Sequence, residues 1–166
     1  KIDRELSNKL GIHPAIIKIL ADRGVETEED IREFLAADLS KVSDGSELTD
    51  MEKGVSIIQD AIAAGKHIRI IGDYDVDGVT STYILYKGLI GLHAKCDKFI
   101  PHRIKDGYGL HENAIRRARE DGVEVILTCD NGIAAADAVS LAKEFGMTVV
   151  VTDHHEVPFV QEPDGR

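Results

Sequence analysis

From Lys66 onward the chain alternates short apolar runs with longer amphipathic stretches, and this rhythm restricts the possible folds more than any other feature. Runs near 68–72, 96–100, 124–129 and 147–152 have the length of strands, and stretches near 79–90, 111–120 and 134–145 carry apolar residues at helical spacing. Gly91, Gly122 and Gly146 are expected at the helix ends, where a left-handed residue stops a helix at least cost. Strand and helix in alternation predict an α/β fold, a parallel sheet with right-handed crossovers and helices on both faces.

A small helical segment is expected before it. Ile16, Ile17, Leu20 and Ala21 share one helical face that Gly24 closes, and "TEED" from Thr27 caps a short helix carrying Ile31, Phe34 and Leu35. "AADLSKVSDGSEL" is polar and reads as a linker. "TDME" from Thr49 then caps a helix with Met51, Val55, Ile58 and Ile62 on one side, ended by Gly65. The expected organisation is a helical segment and linker over 1–48 and an α/β domain over 49–166 that is incomplete at its carboxyl end.

Composition narrows the class. With 43% hydrophobic and 30% charged residues the chain is ordinary for a globular protein, and no apolar run approaches the roughly 18 residues that span a bilayer, so no membrane partner is expected. The chain opens on Lys1, and no basic stretch followed by an apolar one precedes the first helix, so a secretory signal is not expected and the numbering is expected to start inside a longer chain or after processing. Cys96 and Cys129 form no CxxC and read as core thiols in a reducing compartment, so the cytoplasm is the expected location. A net charge of −10 argues against a surface that coats nucleic acid broadly, and leaves room for a local basic groove or a metal cluster.

In open parallel sheets, ligands bind outside the carboxyl ends of the strands. The four runs end in "GDYDVDG", "IPHRIKDGYG", "TCDNG" and "VTDHH". By itself "DYDVDG" suits a solvated acidic turn. It also matches the start of an EF-hand loop, but the twelfth position would be Ile84 instead of a bidentate Glu, and an EF-hand loop follows a helix. "DVDGVT" further resembles the aspartate-nucleophile loop of haloacid-dehalogenase-type phosphatases, with Asp75 attacking phosphorus, Asp77 as acid and one magnesium ion. The last run argues against that reading: Asp153, His154 and His155 add imidazoles, which magnesium does not favour and manganese, zinc or iron do. Several carboxylates at one spot repel unless cations lie between them, and two ions about 3.5–4 Å apart would answer that repulsion.

"DYDVDG", "CDNG" and "DHH", in this order and spacing, resemble the first three motifs of the DHH phosphoesterase superfamily. "GDYDVDGVTSTYIL", "IPHRIKDGYGL" and "GMTVVVTDHHE", preceded by "LTDMEKGV", resemble in particular the RecJ-type single-strand-specific DNA exonucleases. Other branches usually open with a histidine where this chain has Asp73. The resemblance implies a DHH phosphoesterase-like fold and two Mn2+ or Mg2+ ions, one held by Asp73, Asp75 and Asp130, the other by Asp77, Asp130 and His154. Asp130 would bridge them, Asp153 would orient the histidines, and His155 would lie near the scissile phosphate, with Asp130, Asp153, His154 and His155 forming the catalytic group. It implies 5′-to-3′ hydrolysis of single-stranded DNA in repair and recombination; repair proteins as partners cannot be read from the sequence.

Substrate contacts are expected from Arg103, Lys105 and Tyr108 in the one locally basic loop, whereas Arg116, Arg117 and Arg119 read as a solvated face. Thr80, Ser81 and Thr82 are expected to begin the helix after the first acidic loop, either donating to a phosphate or simply capping. The family's fourth aspartate motif and glycine-rich substrate domain do not appear, so the chain is expected to be an amino-terminal fragment, inactive as an isolated piece. Two alternatives stay open: a DHH phosphoesterase acting on short oligonucleotides, cyclic dinucleotides or pyrophosphate, and a non-catalytic metal-binding scaffold domain.

Overall fold

The computed structural model of the chain describes residues 4–36, 38, 40, 42–104 and 109–157. The chain divides into two compact units between Thr49 and Asp50. In the first, helices α1 (Arg4–Leu10), α2 (Pro14–Ala21) and α3 (Glu28–Ala36) surround Ile17, Leu20 and Ile31, all buried. Thr27 caps α3 as its sequence suggests, its hydroxyl accepting from the Asp30 amide at 3.1 Å. Within the stretch read as a linker, Asp44 accepts from the Ser46 amide at 2.8 Å and opens a 3-10 turn, Gly45–Glu47.

The second unit is the expected α/β fold. Helix α4 (Met51–Ala63) leads into β1 (Ile68–Ile71), α5 (Val76–Gly91), β2 (Cys96–Phe99), α6 (Glu112–Glu120), β3 (Val125–Thr128), α7 (Ala136–Glu144) and β4 (Thr148–Val150). All pairings are parallel and the strand order is β2-β1-β3-β4. Alternate side chains feed two cores. Ile68, Ile70, Val125, Leu127 and Cys129 pack with Ala61 of α4 and Leu89 of α5, while Ile71 and Ile126 pack with Ala114, Ile115 and Ala118 of α6 and Ala138 and Ala142 of α7. β1 and β3 are buried at every position because helices cover both faces of the sheet.

Three local expectations are corrected. The helix after the first acidic loop begins at Val76, not near residue 79, because the Asp75 carboxylate accepts from the Gly78 amide at 2.9 Å and caps it there. Helix α4 is not capped by Thr49: Asp50, at φ 57°, occupies the cap position without a side-chain hydrogen bond. Gly91 ends α5 as expected but is not left-handed; the left-handed residue beyond that helix is His93, at φ 59°. Among the described residues no helix is long and apolar enough to cross a membrane.

Candidate metal centre

The strand order places β1 centrally, with the chain leaving it first toward β2 and later toward β3. Between β1 and β3 the connections therefore diverge, and at such a switch point the carboxyl ends of a parallel sheet open into a crevice. Asp73 follows β1 and Asp130 follows β3, one on each side of it.

Close packing builds this edge. A Cβ on Gly78 would lie 2.5 Å from the Asp73 backbone, and one on Gly72 would lie 2.0 Å from the Thr82 hydroxyl, so glycine at both positions lets the first turn of α5 press onto the end of β1. Asn131, fully buried, donates through its side-chain amide to the carbonyls of Ile71 at 3.0 Å and Cys129 at 2.9 Å, tying the ends of β1 and β3 together. Thr152 does the same for β4, its hydroxyl donating to the Thr128 carbonyl at 2.6 Å, and the Asp130 amide donates to the Thr152 carbonyl at 3.0 Å. Asp130 sits at φ 62°, a left-handed conformation that Asp tolerates better than most residues. Asn131 belongs to the quoted "CDNG" yet carried no expected role, since its partner at Ile71 is 60 residues away.

Asp73 has no solvent exposure, and neither of its carboxylate oxygens has a hydrogen-bond partner among the described residues. A buried, unpartnered carboxylate is expensive unless a cation answers it. On the other side of the switch point, ligand atoms of Asp130, His154 and His155 lie within 4.8 Å of one another. The His154 Nε2 is 2.9 Å from an Asp130 oxygen, and the two imidazoles stand 4.6 Å apart at their centroids. Asp130 is buried and His154 is exposed. Burial pushes the Asp130 carboxyl up and the Asp75 charge adds to this, with the His154 ring working against both.

Asp153, expected to orient both histidines, reaches His155 and not His154. Its buried carboxylate accepts from the Ile133 amide at 2.9 Å and pairs with His155 Nδ1 at 2.7 Å. Burial raises the Asp153 carboxyl, but the Ile133 amide and the His155 ring and amide outweigh it and hold the group below the usual carboxylate range. The same contact holds the His155 ring above the ordinary histidine value.

Asp75 and Asp77 lie at the start of α5, both exposed, with Asp75 spending one oxygen on the Gly78 amide. The three aspartates of the first loop lie outside the Asp130, His154 and His155 cluster. Buried carboxylate and imidazole donors together form a set that suits manganese and admits magnesium at its oxygen-rich side.

The other candidates are divided. Thr80 and Ser81 do not begin α5: one turn inside it, their hydroxyls donate to the carbonyls of Val76 and Asp77, both at 2.7 Å, and so point back along the helix. Thr82 is buried, its hydroxyl 3.4 Å from the Cys129 thiol. The Arg103 guanidinium lies over the Tyr74 ring, 5.3 Å from its centroid. Lys105 and Tyr108 fall outside the described residues. Of the helix arginines, Arg116 pairs with Glu112 at 3.1 Å and Arg119 stacks over Phe145 at 4.1 Å.

Residues 67–165 match the DHH family, N-terminal domain. Over 163 residues the chain is 41% identical to the single-stranded-DNA-specific exonuclease RecJ of Bacillus subtilis strain 168, a match that covers 98% of this chain and 21% of that protein. A crystal structure of exonuclease RecJ bound to manganese superposes with a TM-score of 0.62 at 38% identity, covering 68% of this chain and 29% of that one. RecJ from Thermus thermophilus in complex with Mn2+ superposes at 0.61 with 30% identity, over 96% of this chain and 22% of that one. The chain thus spans about a fifth of the length of the Bacillus relative.

Proposed function

The chain belongs to the DHH family, and from that premise we propose that it hydrolyses phosphodiester bonds of single-stranded DNA with the help of divalent metal ions, as a 5′-to-3′ exonuclease module in DNA repair and recombination. The observation that carries this reading is the mixed carboxylate and imidazole set, Asp130, His154 and His155, at the switch point of a parallel sheet beside a buried carboxylate with no partner among the described residues. The relatives named as single-strand-specific exonucleases favour DNA over the small phosphate compounds of other branches, and over a non-catalytic scaffold. A cytoplasmic setting accompanies that substrate.

We assign Asp73, Asp75 and Asp130 to one manganese or magnesium ion and Asp77, Asp130 and His154 to the other, Asp130 serving both. The ions, when bound, supply a water of lowered pKa and positive charge on the phosphate oxygens. Asp130 is suited to a bridge because β3 and the Thr152 carbonyl fix its backbone. Asp153 fixes the His155 ring, which can then donate to a phosphate oxygen as negative charge develops there. Arg103, on the loop after β2, is the phosphate-gripping cation.

The test uses the protein at the full length its gene encodes, with 5′-end-labelled single-stranded DNA and manganese. Asp130→Ala is expected to abolish nucleotide release while leaving the melting transition cooperative. Near-normal turnover by a folded Asp130→Ala variant would overturn the two-ion assignment.

A further inference from the structure

The loops after β1 and β2 are joined at their bases, where the Gly72 amide donates to the Phe99 carbonyl at 3.1 Å. Two residues beyond Gly72 stands Tyr74, half-buried between the aspartates at 73 and 75; four beyond Phe99 stands Arg103. The second loop is pinned before Arg103 by the buried Pro101, and across it by the Ile104 amide, which donates to His102 Nδ1 at 3.3 Å. The Arg103 guanidinium lies over the Tyr74 ring at 5.3 Å, and among the described residues it makes no ion pair and donates no hydrogen bond. Near so many carboxylates an exposed arginine would ordinarily be drawn into an ion pair. Here the ring face holds the cation by its quadrupole, an attraction that uses none of the guanidinium N–H groups.

We propose that Tyr74 is a positioning residue for substrate: its ring keeps the Arg103 guanidinium out of the acidic loops, with its N–H edge presented to a phosphate of the bound strand. The inference rests on the reading of the site as one that takes a phosphodiester strand. Tyr74 acts through Arg103 and needs no contact with the reacting atoms. Removing its ring should therefore cost a phosphate contact although no charge is deleted.

The experiment measures binding of a fluorescein-labelled, 5′-phosphorylated oligothymidylate to the full-length protein by anisotropy, with calcium in place of manganese, across a range of salt concentrations. Tyr74→Leu and Arg103→Gln are each expected to weaken binding about fivefold. Each should also flatten the logarithmic salt slope by about 0.7, the share of one phosphate on a single strand. The double variant should be no worse than either single one, and Tyr74→Phe, which keeps the ring, should match the parent. Tyr74→Gln serves as a second ring deletion if leucine unsettles the loop. A ring deletion that retains the parent slope and affinity, while Arg103→Gln loses them, would overturn the role of Tyr74 and leave the phosphodiester reading standing. A parent protein with no salt-dependent binding to the strand would overturn that reading and this inference with it.

Discussion

At the amino end of the sheet the Arg69 guanidinium is gripped by Asp97 through two nitrogens, at 2.6 and 2.7 Å, and by Asp121 at 2.8 Å, while His67 Nε2 lies 3.0 Å from the same Asp97. At the carboxyl end Asp73 is buried with neither oxygen satisfied among the described residues, and burial pushes the Asp130 carboxyl up. Both ends place charge at the rim of the sheet. At one end Arg69, Asp97 and Asp121 answer one another within the chain, and Arg69 is held well above the ordinary arginine value, chiefly by Asp97. At the other the carboxylates outnumber the cations and call for positive charge from outside. The first pattern stabilises the fold; the second lowers stability in exchange for affinity toward a cation.

Arg69→Met should break the comparison most severely. It leaves Asp97 and Asp121 without the guanidinium that pairs with both, with only the His67 ring beside Asp97. The expected loss is about 3 kcal/mol in urea unfolding, at the low end for a broken buried pair because both carboxylates are partly exposed. A loss below about 0.5 kcal/mol would show that the amino end contributes no more than a surface pair. Manganese tests the other end. At about 100 times its dissociation constant it should stabilise the chain by about 2.7 kcal/mol. Asp130→Ala should remove that gain and Arg69→Met should keep it; equal loss in both variants would mean that the two ends are not independent.

A smaller effect of opposite sign is expected from Asp73→Asn. Asparagine keeps the shape and drops the buried charge, so without metal the variant should be about 1 kcal/mol more stable than the parent. It should also gain less from manganese than the parent does. Destabilisation of the metal-free variant would mean that Asp73 already has its counter-charge within the fold.

The sequence shows one end of the sheet far better than the other. Asp73, Asp75, Asp77, Asp130, Asp153, His154 and His155 stand in three short clusters, each directly after an apolar run, so their gathering at one edge follows from strand direction alone. Arg69, Asp97 and Asp121 carry no such signal: they are separated by 28 and 52 residues, and only the register Arg69↔Asp97 and the end of α6 bring them together. The same distance in sequence concealed Asn131. The start of α5 is hidden in the sequence for a local reason. "DVDG" reads as loop, yet Asp75 caps and Asp77 already lies within the first turn, so residues taken for a ligand loop are also helix. The strand order, which makes the gap between β1 and β3 the switch point, depends on which side of β1 the chain returns to, and hydrophobic periodicity does not encode that.

The smallest predicted effect is a pH dependence confined to the amino end. Burial raises the Asp97 carboxyl, but Arg69, and behind it His67, outweigh burial and hold the group below its ordinary 3.8. A carboxyl depressed in the folded state binds its proton less tightly there than in the unfolded chain. Its contribution is therefore fully present above the unfolded value and is lost as the pH falls through the folded one. With 37% of the Asp97 side chain exposed, solvent screening limits the contribution to about 1 kcal/mol or less. Urea unfolding of the parent and of Asp97→Asn between about pH 5 and about pH 2 should show a stability difference that is constant at the upper limit and closes toward the lower. If the difference instead widened with acid, the Asp97 carboxyl would have to be raised by folding, and the amino end would resemble the carboxyl end in charge after all.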